Sequence, residues 1–161
     1  MDEDWETRVA ALWASLDEES APDFPARMDA LVAELPAGDP VGLYERGSAW
    51  DSTGHSDRAV PLYREALAAG LSGSRRRECV IQLASSLRNL GEPGESVRLL
   101  ETERAAGSDE LDDAVAAFLA LALADAGRPR EAVGVAVGAL SGHLTRFRNS
   151  ATNYARDLLE P

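Results

Sequence analysis

Apolar residues recur at three- and four-residue steps along most of the chain, and this spacing is the period of an α-helix. The clearest unit runs from Asp39 to Leu71 and predicts two helices joined by a tight glycine turn. The apolar face of the first helix carries Leu43, Gly47 and Trp50, and that of the second carries Ala59, Leu62, Tyr63, Ala66 and Leu67. No stretch alternates apolar and polar residues for long, so the sequence predicts an all-α fold.

The ends of these two helices have recognisable signals. Asp39 is predicted to cap the first helix with its carboxylate, and Pro40 follows at the first helical position, where a missing N–H costs nothing. Gly54 is predicted to end this helix in a left-handed conformation, Ser56 to cap the second helix and Gly70 to end it. The end signals therefore agree with the apolar pattern.

The same pattern returns twice further along the chain. Two sets of small residues are equivalent between the copies: Gly47, Ala84 and Ala120 in the first helices, and Ala59, Ser96 and Ala132 in the second helices. Subtraction within the second set gives periods of 37 residues (96 − 59) and 36 residues (132 − 96). Small side chains let two helices approach closely, and bulky ones fill the remaining space: Trp50, Tyr63, Leu87, Leu100 and Leu123.

This skeleton of small and bulky residues resembles the tetratricopeptide repeat, a helical hairpin of about 34 residues with the pattern W-x2-L-G-x2-Y…A-x3-F. The resemblance covers residues 39–140. The segments VPLYREAL and QLASSLRNLGE are similar to a small bacterial branch of the family, the group-5 type. Membership of that branch implies a stack of helical hairpins, a homodimeric assembly and no established activity.

On this resemblance we expect one domain over residues 1–161, built as a right-handed α-solenoid of about nine helices. Its expected parts are an N-terminal helix pair or degenerate repeat (1–36), three repeats (39–71, 74–107 and 109–140) and a C-terminal capping helix (142–159). A terminal helix is expected because the last repeat of a solenoid otherwise exposes its apolar side.

Two further apolar stripes precede the first repeat. They consist of Trp5, Val9, Leu12, Trp13 and Leu16, and of Phe24, Met28, Leu31 and Leu35. The first of these helices is predicted to end near Glu18, before a proline-containing break from Ser20 to Pro25. Two interpretations stay open: the helix pair caps the first repeat, or Trp5 and Trp13 form an exposed interface anchor.

The third repeat and the end of the chain are the most apolar parts. From Asp112 to Ala126 the predicted helix is nearly all Ala, Leu, Val and Phe. We therefore expect Phe118 and Leu121 to be covered by the final helix or by a second subunit. The expected capping helix has its own stripe, which consists of Leu144, Phe147, Ala151, Tyr154 and Leu158.

The charge of the chain is strongly negative. It has 28 acidic residues against 16 basic ones, all arginine, for a net charge of −12. Such a surface repels phosphate backbones, so we do not expect nucleic acid as a partner. We expect neither a membrane partner nor secretion, since no apolar run approaches the roughly 20 residues of a membrane span and the acidic N-terminus does not resemble a signal peptide.

The sequence contains no recognisable pattern for catalysis or cofactor binding. His55 and His143 lack the spacing of metal ligands, and there is no phosphate-binding glycine loop and no nucleophile elbow. The single cysteine, Cys79, fits a reducing cytoplasm and is expected to be a small buried group. The run from Arg75 to Arg77 is interpreted as arginines that pair with nearby acids, the alternative being contact with an anion or an acidic peptide. We therefore expect a cytoplasmic protein with no enzyme activity, no cofactor and no metal.

Recognition of a protein or peptide is the function that remains, although the sequence does not name the partner. The first helix of each hairpin lines a concave face in stacked repeats. The candidate groove residues are Tyr44, Ser48, Asp51, Ile81, Ser85, Arg88, Asn89, Leu121 and Asp125. The clamp with which some family members hold acidic C-terminal tails is not found at the matching positions, which are Tyr44, Ser48, Gln82, Ala114 and Phe118. The alternative is self-association as a homodimer through Trp5, Trp13, Phe118, Phe147 and Tyr154.

Overall fold

The computed structural model describes residues 3–17 and 21–160, and over these residues all regular secondary structure is helical. The helices in these ranges are α1 (Glu3–Ala14), α2 (Phe24–Val32), α3 (Pro40–Ser52), α4 (Ser56–Ala68), α5 (Ser74–Asn89), α6 (Pro93–Ala106), α7 (Asp112–Asp125), α8 (Pro129–Ser141) and α9 (Arg148–Leu159). The predicted all-α class is confirmed.

Helix α3 begins and ends close to the residues whose chemistry predicted its ends. Asp39 Oδ1 accepts hydrogen bonds from the backbone N–H groups two and three residues further on, at 2.9 and 3.1 Å, so its role as the N-cap is confirmed. Gly54 follows the end of the helix with a φ of 83°, a left-handed conformation that glycine adopts at little cost. Ser56 is the first residue of α4 rather than its cap, and its hydroxyl donates to Asp51 Oδ1 at 3.1 Å.

The chain forms two compact units, Met1–Cys79 and Val80–Pro161, with the boundary inside α5. The core of the first unit consists of Trp5, Val9, Leu12, Phe24, Met28 and Ala49. All but Ala49 come from the two apolar stripes that precede the first repeat, so those stripes are confirmed as a buried surface. Helix α1 ends at Ala14, and the predicted end near Glu18 and the start of the break at Ser20 lie outside the described residues.

Close contact between α3 and α4 depends on Gly47. A Cβ atom at this position would lie 2.8 Å from both Cδ1 and Cε1 of Tyr63, closer than real Cβ contacts. The Tyr63 side chain is fully buried, so its ring has little room to move away. The predicted role of this small residue in letting two helices nest is therefore confirmed.

The core of the second unit lies between α6, α7 and α8 together with the end of α5. Its buried residues are Ile81, Ala84, Val97, Leu100, Val115, Leu119, Ala120, Ala122, Leu123, Ala132 and Val135. Phe118 packs partly buried against this core. Leu121, in contrast, is 48% exposed. Phe118 is therefore covered by the core of the second unit and not by the final helix, while Leu121 is not covered by the final helix either. Cover by a second subunit stays a prediction.

The final helix packs differently from the prediction. Phe147 and Tyr154 are 80% and 68% exposed, so their placement on the buried stripe of a capping helix is wrong. Helix α9 begins only after Phe147, whose left-handed φ of 63° interrupts the helical period. The buried residue of α9 is Ala155, which packs against α8 at Gly134, where an added Cβ atom would lie 3.0 Å from the Ala155 carbonyl oxygen. Only a small side chain fits at so close an approach.

Replacement of Gly47 by alanine is expected to lower the free energy of unfolding by about 1–3 kcal/mol, because the added methyl group overpacks against the Tyr63 ring. The matched control is Gly138→Ala in α8, where the new Cβ would lie 3.8 Å from Ala155 Cβ, an ordinary contact. There the higher helix propensity of alanine is expected to add roughly 0.5–1 kcal/mol. Urea unfolding measures both changes, and equal shifts would contradict the close packing at Gly47.

Candidate functional site

Side chains of α3 in the first unit form a polar cluster around Tyr63 of α4. Tyr44 donates its hydroxyl proton to Glu78 Oε2 at 2.9 Å, and its ring centroid lies 6.3 Å from that of Tyr63. Oxygen atoms of Ser48 and Asp51 each lie 3.5 Å from the Tyr63 hydroxyl. The structure therefore brings the predicted groove residues Tyr44, Ser48 and Asp51 together.

This cluster belongs to the interior rather than to an open groove. Tyr44 and Ser48 are only 6% and 5% exposed. Burial raises the pKa of both Tyr44 and Tyr63 above the ordinary range, with a further rise at Tyr44 from its hydrogen bond to Glu78. Both hydroxyls therefore stay protonated and hold the helices of the first unit together. They present little surface to a partner.

A charged cluster that the sequence analysis did not predict joins α1 to α3 and to the start of α5. Arg75 forms a bidentate pair with Glu6 at 3.1 and 2.5 Å, and its Nε lies 3.3 Å from Glu45 Oε1. The indole of Trp13 donates to Glu45 Oε2 at 2.8 Å. We call these four residues, Glu6, Trp13, Glu45 and Arg75, the α1 anchor. The interpretation of the arginine run as pairing with acids is correct for Arg75.

Both N-terminal tryptophans make contacts inside the first unit. Trp5 is 2% exposed, and its indole donates to the carbonyl of Leu31 at 2.9 Å. Trp13 is half-buried, packs 4.9 Å from the Phe24 ring and is engaged by Glu45. The interpretation of Trp5 as an exposed interface anchor is therefore wrong. Its large apolar side chain stabilises the first unit instead.

Reactive chemistry at Cys79 is suppressed by its surroundings. The thiol is fully buried, its Sγ lies 3.7 Å from the Tyr63 carbonyl oxygen, and burial raises its pKa to about 12. The thiolate that nucleophilic attack requires is therefore scarce at neutral pH.

His143 is paired with Asp113 at 2.8 Å. Within residues 3–17 and 21–160, no three His, Cys, Asp or Glu side chains form a group that could hold a metal ion.

In the second unit the predicted groove residues lie closer to solvent. Arg88 Nη1 on α5 lies 2.8 Å from Asp125 Oδ2 on α7, and Arg88 Nη2 donates to Asn89 Oδ1 at 3.3 Å. Leu121, one helical turn before Asp125, is 48% exposed. Ile81 belongs to the core instead. We call the remaining set the α5–α7 surface: Ser85, Arg88, Asn89, Leu121 and Asp125.

Exposed apolar side chains are unevenly distributed along the chain. Among the described residues, the exposed large hydrophobic ones are Leu90, Leu121, Val133, Leu140, Phe147, Tyr154 and Leu159, all in the second unit. Phe147 and Tyr154 are the predicted self-association residues in this set. Val133 and Leu140 lie on α8 and were not predicted, although that helix has no charged residue after Glu131.

Comparison with family models matches residues 40–158 to the family described as Tetratrico peptide repeat, in its group-5 type. The chain belongs to the tetratricopeptide repeat family. This tetratricopeptide repeat protein is also similar to a crystal structure of nearly identical TPR-like repeats from a Podosopora anserina protein described as a kinesin light chain. The TM-score is 0.72 at 19% identity, with 99% of this chain and 94% of the other covered. No curated protein matches the sequence.

The family match confirms the resemblance inferred from the repeat pattern, and the structural match confirms the helical-repeat fold. Tetratricopeptide repeats are generally protein–protein interaction modules, and the fold is typically a non-catalytic scaffold. None of the described helices is both long enough and apolar enough to cross a membrane. The broad function of such a protein is therefore the binding of other proteins.

The raised pKa of Glu45 predicts a pH-dependent difference in the free energy of unfolding between the wild type and Glu45→Gln. Burial raises the pKa of Glu45 above 4.5 in the folded state, although Trp13 and Arg75 oppose the rise. Between 4.5 and the folded pKa, the folded protein therefore binds more protons than the unfolded protein. The free energy of unfolding of the wild type, relative to the variant, should fall as the pH rises through this window and then level off.

Urea unfolding of both proteins between about pH 4 and pH 8 measures this difference. Carboxylates other than Glu45 are common to both proteins and cancel in the comparison. A wild-type stability that instead rises relative to the variant over this range would contradict the raised pKa.

Proposed function

We propose that this tetratricopeptide repeat protein is a non-enzymatic, cytoplasmic scaffold that binds a segment of a partner protein on the α5–α7 surface. The observation that supports this most is the 48% exposure of Leu121 beside the ion pair of Arg88 and Asp125. The equivalent residue of the first repeat is Ser48, which is buried and lies against Tyr63. The second unit is therefore the better candidate for an open binding surface.

The α5–α7 surface has the chemical groups that an extended peptide requires. The exposed amide of Asn89 can donate to a peptide carbonyl, and the half-exposed carboxylate of Asp125 can accept from a peptide N–H. Leu121 offers an apolar contact one helical turn before Asp125, and burial of its exposed area would contribute roughly 25 cal/mol per Å². The combination suits a partner segment with one apolar side chain and free backbone groups.

Leu121→Asp is expected to reduce capture of the partner at least tenfold, because a carboxylate would replace the exposed apolar side chain of the α5–α7 surface. The side chain is half-exposed, so the free energy of unfolding should change by no more than about 0.5 kcal/mol. Immobilised protein is incubated with native cytosol and crosslinked. Mass spectrometry then identifies and quantifies the proteins that the wild type retains and the variant loses.

Val133→Asp is the matched control for this experiment. Val133 is 50% exposed, almost the same as Leu121, but lies on α8 outside the α5–α7 surface. Equal loss of the same partner from both variants would show that capture does not depend on the α5–α7 surface. Tyr44→Ala is unsuitable as a test, because Tyr44 is buried and bonded to Glu78, and its removal would destabilise the first unit.

A second candidate function, self-association as a homodimer, is supported by the outer face of α8. Val133, Ala136 and Leu140 lie on one side of this helix at helical spacing and are all exposed. The α8 face carries no charge, so it could pack against a copy of itself around a two-fold axis without like-charge repulsion. An exposed apolar face of this kind is typical of interaction sites rather than of free surface.

The double variant Val133→Asp with Leu140→Asp is expected to be monomeric at every concentration, because symmetric pairing would bring carboxylates together. The wild type should dimerise at high concentration and dissociate on dilution. Sedimentation velocity over a hundredfold dilution series measures both, with Leu121→Asp as the control that keeps the dimer. A wild type that stays monomeric at its highest concentration would eliminate the α8 face as a dimer interface.

A further inference from the structure

Another surface of the second unit combines exposed aromatic rings with arginine side chains. Phe147 and Tyr154 are 80% and 68% exposed. Phe147 is the N-cap residue of α9, and Tyr154 lies near the middle of that helix. Arg146 and Arg148 flank Phe147 in the sequence. We call these four residues, Arg146, Phe147, Arg148 and Tyr154, the α9 surface.

The backbone at Phe147 indicates that its exposed ring has a use. Among the described residues it alone combines a side chain with a positive φ, at 63°. A bulky residue in this conformation is strained, and such strain is concentrated at functional positions. Glycine would meet the same geometry without strain. Since the ring packs so little against its own chain, packing does not account for a phenylalanine at this position.

The local charge on the α9 surface is opposite to that of the whole molecule. No Asp or Glu lies between Glu131 and Asp157, whereas Arg146, Arg148 and Arg156 all do, in a chain with a net charge of −12. In the described structure none of these three arginines forms an ion pair with a carboxylate. Other arginines of the described residues are paired with acids, among them Arg8, Arg46, Arg75, Arg88 and Arg128.

We propose that the α9 surface binds an acidic segment of a partner protein. Carboxylates of the segment pair with Arg146 and Arg148, because charge-assisted bonds to guanidinium groups are the strong ones. Apolar side chains of the segment pack against the exposed rings of Phe147 and Tyr154, and aromatic residues of this kind dominate binding energy at interfaces. A second copy of the same surface is a poor occupant, since arginines would then face arginines.

Fluorescence anisotropy with a labelled peptide in which aspartates alternate with leucines tests the proposal. The buffer has an ionic strength of about 0.15 M, at which charges more than roughly 8 Å away are largely screened and the local arginines dominate. The full chain is expected to bind this peptide at least tenfold more tightly than the matched peptide with asparagine in place of each aspartate. Arg146→Glu with Arg148→Glu should weaken binding at least tenfold. Arg98→Glu, a charge reversal at an exposed residue of α6, should leave it unchanged.

Phe147→Gly separates binding from folding. Glycine accepts the left-handed φ, so this variant should melt no lower than the wild type and yet bind the aspartate peptide at least fivefold more weakly. Absence of binding by the wild type, equal affinity for the two peptides, or undiminished binding by the double charge reversal would each overturn the proposal. Sedimentation of a wild-type dimer that the charge reversal abolishes would also overturn it, because the occupant would then be a second copy.

Discussion

The volume of a few side chains at helix–helix contacts governs this structure. At Gly47 a Cβ atom would lie only 2.8 Å from two carbons of the Tyr63 ring, and at Gly134 it would press on the backbone of α9, 3.0 Å from the Ala155 carbonyl oxygen. Packing against bare backbone removes a large apolar area from water while the interior keeps its density. Because interiors at this density resist displacement, each helix is held in one position relative to its partner. The outward side chains are consequently presented in a fixed arrangement, which lowers the entropic cost of binding.

The α1 anchor shows how polar contacts act within that packing. Glu45 is buried, and a buried carboxylate is costly unless it is paired and hydrogen-bonded. Arg75 supplies a charge shared with Glu6, and Trp13 supplies a hydrogen bond. Contacts of this kind add little net stability, because desolvation offsets the attraction. Their consequence is positional, since Glu6 fixes α1 to the start of α5 and Trp13 fixes it to α3.

The helices and their small contact residues were predictable because both depend on local sequence. Asp39 and Gly54 are signals read within one repeat, and the spacing of Gly47, Ala84 and Ala120 shows the same small residue returning in each copy. The α1 anchor was not predictable, since Glu6 and Arg75 are 69 residues apart and neither position carries a local signal for the other. The orientation of α9 was missed for a different reason. It depends on a left-handed backbone at Phe147, a conformation that sequence propensity assigns to glycine or asparagine.

The candidate groove illustrates the same limit. A repeat pattern identifies Ser48, Ser85 and Leu121 as equivalent, but equivalence does not determine exposure. Ser48 is buried because Tyr44 and Tyr63 close over the same region of the first unit, whereas Leu121 stays exposed. Exposure depends on the neighbours of each repeat, and these differ between copies. Sequence alone therefore yields the positions that could line a groove and not the subset that does.

Charge and apolar exposure are divided between the two units, and this division has a physical consequence. Residues 1–35 contain ten acids and two arginines and so contribute −8 of the net −12. The exposed large apolar side chains among the described residues lie instead in the second unit. Net charge keeps molecules apart at long range, which permits an apolar surface without indiscriminate association. At physiological salt that repulsion decays within about 8 Å, so it would not oppose the short-range contacts that we propose at Leu121, Val133 or Phe147.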